Sequence, residues 1–317
     1  MSPSFFEGPE KKVELVVVSG GPSLRALGEQ VWRRVVEAAN ADVLSIIRTA
    51  ELEAYLLSES SLFVYDDHIT MITCGQTTLV EAVLLLIEEV GRDNVALLIY
   101  ERKNEHFPER QPSSFFDDAS RLAQLIPGAA LQFGSEHDHR IFVFHSTRAH
   151  RPDPNDTTLE ILMHGIDGER AARFCSGRQG RGDVASRYGL DQLLPGFEID
   201  EHSFEPAGYS LNAVKEREYY TIHVTPEELG SYVSFETNHD FRRDPVALVG
   251  RIVDCFGPES FDVFSFCPSG GDHAVALPGY HLRKHVTDHL SGYDVTFQHF
   301  FRPSTGPESA LAIELSK

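Results

Sequence analysis

Three short apolar segments, 53–57, 62–65 and 69–73, follow one another with only a few polar residues between them; Asp66-Asp67 marks the second connection. Parallel neighbours need a crossover of a dozen or more residues, so spacing this tight demands antiparallel hairpins. The same signal returns along the chain. Residues 13–18, 42–47 and 94–100 read as strands, and 129–133 with 140–144 as a second hairpin pair. In the second half, strands are predicted at 158–163, 219–224, 231–236, 261–266, 273–277, 295–301 and 309–315. Helical periodicity is confined to 23–39 behind Pro22, 78–90, 115–125, a short 168–174 and 245–256. Hairpins with a few helices packed against them argue for an α+β class built on antiparallel sheets. The two halves have similar make-up, which hints at duplication, although no clean sequence repeat is visible.

With 317 residues the chain has ample length for a real core, and no low-complexity linker divides it. Hydrophobic residues make up 41% and charged residues 24%, the balance of a globular protein. The net charge of −20 repels nucleic acid and anionic membranes and favours a cationic small molecule. No apolar stretch reaches the length of a membrane span, and residues 1–12 lack a signal-peptide core, so a cytoplasmic location is expected. Cys74, Cys175, Cys255 and Cys267 are scattered without metal-type spacing and are expected to be reduced thiols.

Three motifs invite chemistry and do not sustain it. Ser19-Gly20-Gly21-Pro22 lies between a strand and a helix but lacks a phosphate-loop pattern, so a simple turn explains it. Glu136-His137-Asp138-His139 offers imidazoles between two strands, yet no third ligand can be assigned from sequence, and no metal is expected. Gly177–Gly182 reads as a glycine- and arginine-rich loop.

Ser58-Glu59-Ser60-Ser61 is different, because it interrupts an apolar hairpin with four polar residues. Alone it is the polar tip of a turn. It acquires weight beside Thr73-Cys74-Gly75, the stretch 206–212 containing Gly208-Tyr209-Ser210-x-Asn212, and Thr221-Ile222-His223. With Phe5-Phe6-Glu7-Gly8-x-Glu10-Lys11, Arg102-Lys103-Asn104, Leu194-Pro195-Gly196 and the blocks at 158–163 and 231–238, these motifs run in order along nearly the whole chain. The set resembles the eukaryotic-type S-adenosylmethionine decarboxylases, pyruvoyl-dependent enzymes of polyamine synthesis.

The resemblance implies a four-layer αββα sandwich with internal duplication. It implies a single catalytic domain that cuts itself between Glu59 and Ser60, giving a small chain 1–59 and a large chain 60–317. Ser60 is then the source of a covalent pyruvoyl group that forms a Schiff base with the substrate amine and accepts electrons on loss of CO2. By the same resemblance Cys74 is the proton donor, His223 the base of processing, and Ser210 the hydroxyl on the Glu59 carbonyl. Glu7 and Glu10 are acidic residues near the site. Phe6 and Phe204 sandwich the adenine, Glu227 takes the ribose, and the backbone of Leu57 and Glu59 reads the adenine edge. Aromatic faces suit a flat base beside a sulfonium cation.

In animal members of the family an internal acidic site binds putrescine. Glu14, Asp156, Thr158, Glu160 and Glu236 match its wall, but Ile72 stands where a lysine is expected, Glu101 replaces a serine and Ile99 a phenylalanine. A buried carboxylate cluster must find a cation or take up protons. A diamine or an internal basic residue is therefore expected there. The Ser210–His223 spacing is one residue shorter than in animal members, a difference that the turn at Lys215-Glu216-Arg217 can absorb. The expected partner is S-adenosylmethionine, with no nucleic acid or membrane; the chain is expected to be a monomer or homodimer. Two alternatives compete: a pyruvoyl decarboxylase of ornithine or arginine, and an inactive regulatory paralogue. Phe6, Phe204 and Glu227 argue against the first, and retention of Ser60, Cys74 and His223 against the second.

Overall fold

A computed structural model describes residues 6, 8–103, 105–135, 139–175, 183–227, 230–268, 274–303 and 306. The first half forms β1 (Lys11–Val17), β2 (Val43–Arg48), β3 (Glu53–Leu57), β4 (Ser60–Val64), β5 (His68–Thr73), β6 (Val95–Lys103), β7 (Gly128–Gly134) and β8 (Arg140–Ser146). The second forms β9 (Thr158–His164), β10 (Glu198–Ser203), β11 (Tyr209–Lys215), β12 (Glu218–Thr225), β13 (Tyr232–Thr237), β14 (Ser260–Cys267), β15 (His281–Leu290) and β16 (Tyr293–Phe301). Each set makes one eight-stranded sheet, in the orders β2-β3-β4-β5-β1-β6-β8-β7 and β10-β11-β12-β13-β9-β14-β16-β15. Adding eight to every strand of the first order gives the second. The duplication hinted at by composition is therefore present in the topology.

Helices α1 (Glu29–Ala38), α2 (Leu79–Val90) and α3 (Phe115–Leu125) cover one face of the first sheet through a core containing Trp32, Leu86 and Leu122. In the second half, the short α4 (Gly168–Ala171) and α5 (Val184–Tyr188) and the longer α6 (Pro245–Phe256) cover the matching face, with Val249 and Ile252 in its core. A third core joins the inner faces of the two sheets, packing Ile99 and Val143 against Phe264 and Phe297. The result is four layers, helices outside and two sheets inside. Central strands such as β9 are covered on both faces, so every residue of 158–163 is buried and the alternation of a half-exposed strand is lost.

Local chemistry sets the helix ends. A reciprocal Ser114–Asp117 capping box starts α3, and Asp244 with Pro245 starts α6, which stops at Gly257 with φ +59°. The helix expected over 23–39 is shorter, because Gly28 adopts φ +83° between a 3-10 turn at Arg25–Leu27 and α1. The strand expected at 273–277 is not formed in its described part, 274–277; the sheet instead continues with β15, whose sequence is polar at most positions and gives no apolar alternation. Strands β10 and β11 were likewise hidden, β10 because nearly all its residues are polar. The predicted strand 309–315 and loop 177–182 lie outside the described residues.

Candidate active site

The β3–β4 hairpin turns through Ser58-Glu59, with Leu57 paired to Ser60. Ser60 has φ +141°, a conformation that L residues rarely adopt and that costs of order 1–3 kcal/mol. Its hydroxyl is buried without a hydrogen-bond partner among the described residues. Strain and an unpaired nucleophile therefore coincide at one residue. The carbonyl oxygen of Glu59, one bond away, accepts from the Cys74 N–H at 2.9 Å and from the Cys74 thiol at 3.2 Å. Two donors already converge where negative charge would develop if that carbonyl were attacked. Gly75 follows with φ +66°; a Cβ there would meet Glu59 Oε2 and the Phe6 ring, each at 3.0 Å.

The hairpin packs against β11–β12 of the other sheet. Ser210 pairs directly with His223 and Asn212 with Thr221, so all four side chains rise from one face. The turn between these strands is the two-residue Glu216-Arg217, which accommodates the short spacing. Asn212 donates to the Tyr55 carbonyl at 3.1 Å, which fixes the orientation of its amide. Its oxygen therefore accepts from Ser61 Oγ at 2.6 Å and from Thr221 Oγ1 at 3.0 Å. His223 Nε2 lies 3.2 Å from Ser61 Oγ and 2.8 Å from Thr221 Oγ1, whose hydroxyl also reaches the Leu211 carbonyl at 2.9 Å. Its Nδ1 shares a 3.0 Å hydrogen bond with Ser210 Oγ. Burial pulls His223 down to about 3, so the ring is neutral at physiological pH.

Burial pushes Glu59 up to about 7 and Glu10 up to about 8, the latter opposed by a bond from Ser234. It drives the Cys74 thiol well above its usual range, with Glu59 adding to the effect. Cys74 is thus a protonated thiol at neutral pH. Lys11 Nζ donates to the Gly75 carbonyl at 3.0 Å, and burial lowers it to about 8.

Residues 3–301 match the family described as "Adenosylmethionine decarboxylase". An S-adenosylmethionine decarboxylase proenzyme of Dictyostelium discoideum is 31% identical, covering 93% of this chain and 85% of the relative. One from Xenopus laevis is 35% identical over 81% and 82% of the two chains. A crystal structure of the Trypanosoma brucei AdoMetDC-delta26 monomer aligns with TM-score 0.59 at 25% identity, covering 77% of this chain and 99% of that one. The chain belongs to the adenosylmethionine decarboxylase family.

The family's expected site residues can now be located. Ser60, Cys74, Ser210, His223, Leu57 and Glu59 come together at the facing hairpins. Ser210, however, bonds His223, while the Glu59 carbonyl accepts from Cys74. Phe6 stands over Gly75, and its N–H donates to Glu227 Oε1 at 3.3 Å. Phe204 follows the end of β10, with its N–H on the Gly208 carbonyl at 2.9 Å. Glu7 lies outside the described residues. Sequence reading assigned no role to Ser61 or Thr221, and none to Asn212 beyond its motif. The period of two in Ser210-x-Asn212 and Thr221-x-His223 was the available signal.

The acidic cluster between the sheets holds two internal cations. Lys12 Nζ lies 2.8 Å from Glu160 and 3.0 Å from Glu236; Lys103 Nζ lies 2.5 Å from Glu160 and 2.6 Å from Glu101. Burial opposes the charge on both lysines, but the adjacent carboxylates outweigh it and hold both ammonium groups charged. Glu236 also accepts from Tyr219, and Asp156 from Tyr293. Burial, reinforced by Asp156, raises Glu14 to about 8.

Proposed function

We propose that this chain is a self-processing decarboxylase of S-adenosylmethionine, making the decarboxylated aminopropyl donor for spermidine and spermine. The observation that carries the reading is the strained, unpaired Ser60 beside a Glu59 carbonyl held by two donors. Ser60 Oγ attacks the Glu59 carbonyl carbon while the Cys74 N–H and S–H hold the oxygen. The C–N bond breaks, the Ser60 nitrogen takes a proton, and an ester replaces the amide. Neutral His223, oriented by Ser210 on Nδ1 and by Ser61 and Thr221 on Nε2, removes the Ser60 Cα proton. The Cβ–O bond then breaks and expels the Glu59 carboxylate, closing the 1–59 chain. Hydration of the remaining alkene and loss of ammonia leave a pyruvoyl group at the head of 60–317.

That orphaned, enclosed serine position fits the group. A pyruvoyl carbonyl there supplies an electron sink for loss of the substrate carboxylate. Cys74, kept protonated by burial, delivers the proton to the substrate carbon. Phe6 and Phe204 hold the adenine and Glu227 the ribose, with Glu10 and Glu7 as acidic residues near the site. The names of the relatives support this substrate over ornithine or arginine.

Lys12 and Lys103 take the part of a bound diamine, so neither processing nor turnover needs putrescine. Lys12→Met should slow processing, and added putrescine should restore part of it.

Intact mass and carboxyl-labelled CO2 release test the reading together. Wild-type protein should appear as chains 1–59 and 60–317 and release CO2 from S-adenosylmethionine. An unsplit wild-type chain without CO2 release overturns it.

A further inference from the structure

A cluster of imidazoles lies apart from the processing residues, where the two sheets face each other beyond Tyr232. His164 ends β9, and its ring meets Tyr232 edge-on at 5.0 Å. Asp262 on β14 is the cross-strand neighbour of both Leu162 and His299, which places it on the inner face with the Leu162 core. His139 arrives from the other sheet, one residue before β8. Its Nδ1 is 3.0 Å from Asp262 Oδ2, and its ring centroid is 3.9 Å from that of His164. One ligand atom from each of His139, His164 and Asp262 lies within 4.8 Å of the others.

Two imidazoles and a carboxylate are a ligand set for a divalent first-row transition ion. Bonds of about 2.0–2.2 Å in a tetrahedral shell separate ligand atoms by roughly 3.3 Å, so small side-chain rotations close the present triangle. The carboxylate is already oriented as a ligand would be. His299 Nδ1 holds its other oxygen at 2.8 Å, leaving Oδ2 toward the two imidazoles. Asp262 is buried while His139 is partly exposed, which gives an ion a route in. The sequence reading dismissed the 136–139 stretch for want of a third ligand; the fold brings two, both from the opposite sheet.

We infer that His139, His164 and Asp262 bind a divalent transition ion such as Zn2+, with His299 as the positioning residue for Asp262. Three protein ligands leave one coordination position for water. The ion ties the segment before β8 in the first sheet to β9 and β14 in the second, so it clamps the two duplicated halves.

The test uses the full chain, stripped with EDTA and titrated with zinc chloride by calorimetry. One ion should bind per chain, Tm should rise, and X-ray absorption should show nitrogen and oxygen neighbours without sulfur. His139→Gln and His164→Gln should each weaken binding at least tenfold, and His299→Gln by about ten- to a hundredfold. His139 stands outside the strands, one residue before β8, so its variant serves where His164→Gln fails to fold. No stoichiometric binding, a sulfur-containing shell, or affinity unchanged in His139→Gln overturns the proposal and leaves a hydrogen-bonded histidine network.

Discussion

The β3–β4 and β11–β12 hairpins occupy equivalent places in the two sheets, and both turn through two residues. They run in opposite directions, so the turn of each lies against the open end of the other. Tyr65 and Thr49 donate to the carbonyls of Arg217 and Glu216 at one end, and Ser61 meets His223 at the other. The two ends have opposite contents. Leu52, Ala54, Phe63, Tyr65, Val214 and Tyr219 fill the first, with Phe63 and Tyr219 stacked at 4.0 Å. Ser61, Asn212, Thr221 and His223 fill the second. The placement of strain differs too. In the second hairpin the positive φ sits within the turn, at Glu216 (+56°); in the first it falls on Ser60 (+141°), just past the turn. One framework thus carries an apolar core at one end and a hydrogen-bonded polar cluster at the other.

Ser60→Ala is the most severe way to break the contrast: self-cleavage should vanish, and mass spectrometry should find a single chain. Ser61→Ala, which removes only a support of His223, should slow cleavage without abolishing it. If the Ser61 variant is the one that fails, the assignment of the nucleophile is wrong.

His223→Ala should reduce the rate of processing about 10²–10⁴-fold, the usual worth of a general base. Because the acyl shift precedes proton removal, the ester should accumulate. Hydroxylamine should then split the chain at Glu59-Ser60, and resistance to hydroxylamine would place His223 in the earlier step.

The apolar end should answer differently. Phe63→Ala should cost about 3–5 kcal/mol in urea unfolding, as large-to-small changes in a packed core do. The folded fraction should still cleave itself. Loss of cleavage without loss of stability would contradict the division between the two ends.

A further contrast concerns the acidic cluster. Glu14 is raised from 4.5 to about 8, so the folded state retains a proton that the unfolded chain releases. Native protein binds more protons than unfolded between those values, and stability must fall as pH rises through them. Glu14→Gln should match wild type in Tm near pH 4 and exceed it near pH 9. Parallel curves would show that Glu14 is ionised throughout.

Hairpin spacing determined the antiparallel class, and the ordered motifs disclosed the family and named the candidate residues that the facing hairpins bring together. That information is local or lies in fixed blocks, so sequence carries it. The strong helix signals at 115–125 and 245–256 match α3 and α6 for the same reason. Polar strands such as β10 and β15 left no trace, because pairing with a neighbour rather than an apolar pattern makes them strands.

Tertiary structure alone decided which of two adjacent serines is left unpaired. Ser60 and Ser61 are chemically identical, but a one-residue step along a strand turns a side chain to the opposite face. Ser61 reaches Asn212 and His223, while Ser60 keeps a free hydroxyl and a strained backbone. The neutralisation of the acidic cluster by Lys12 and Lys103 was equally hidden, since lysines 91 residues apart meet only when β1 and β6 pair and face β9. Sequence names the groups; the pleat and the facing sheets decide which of them touch.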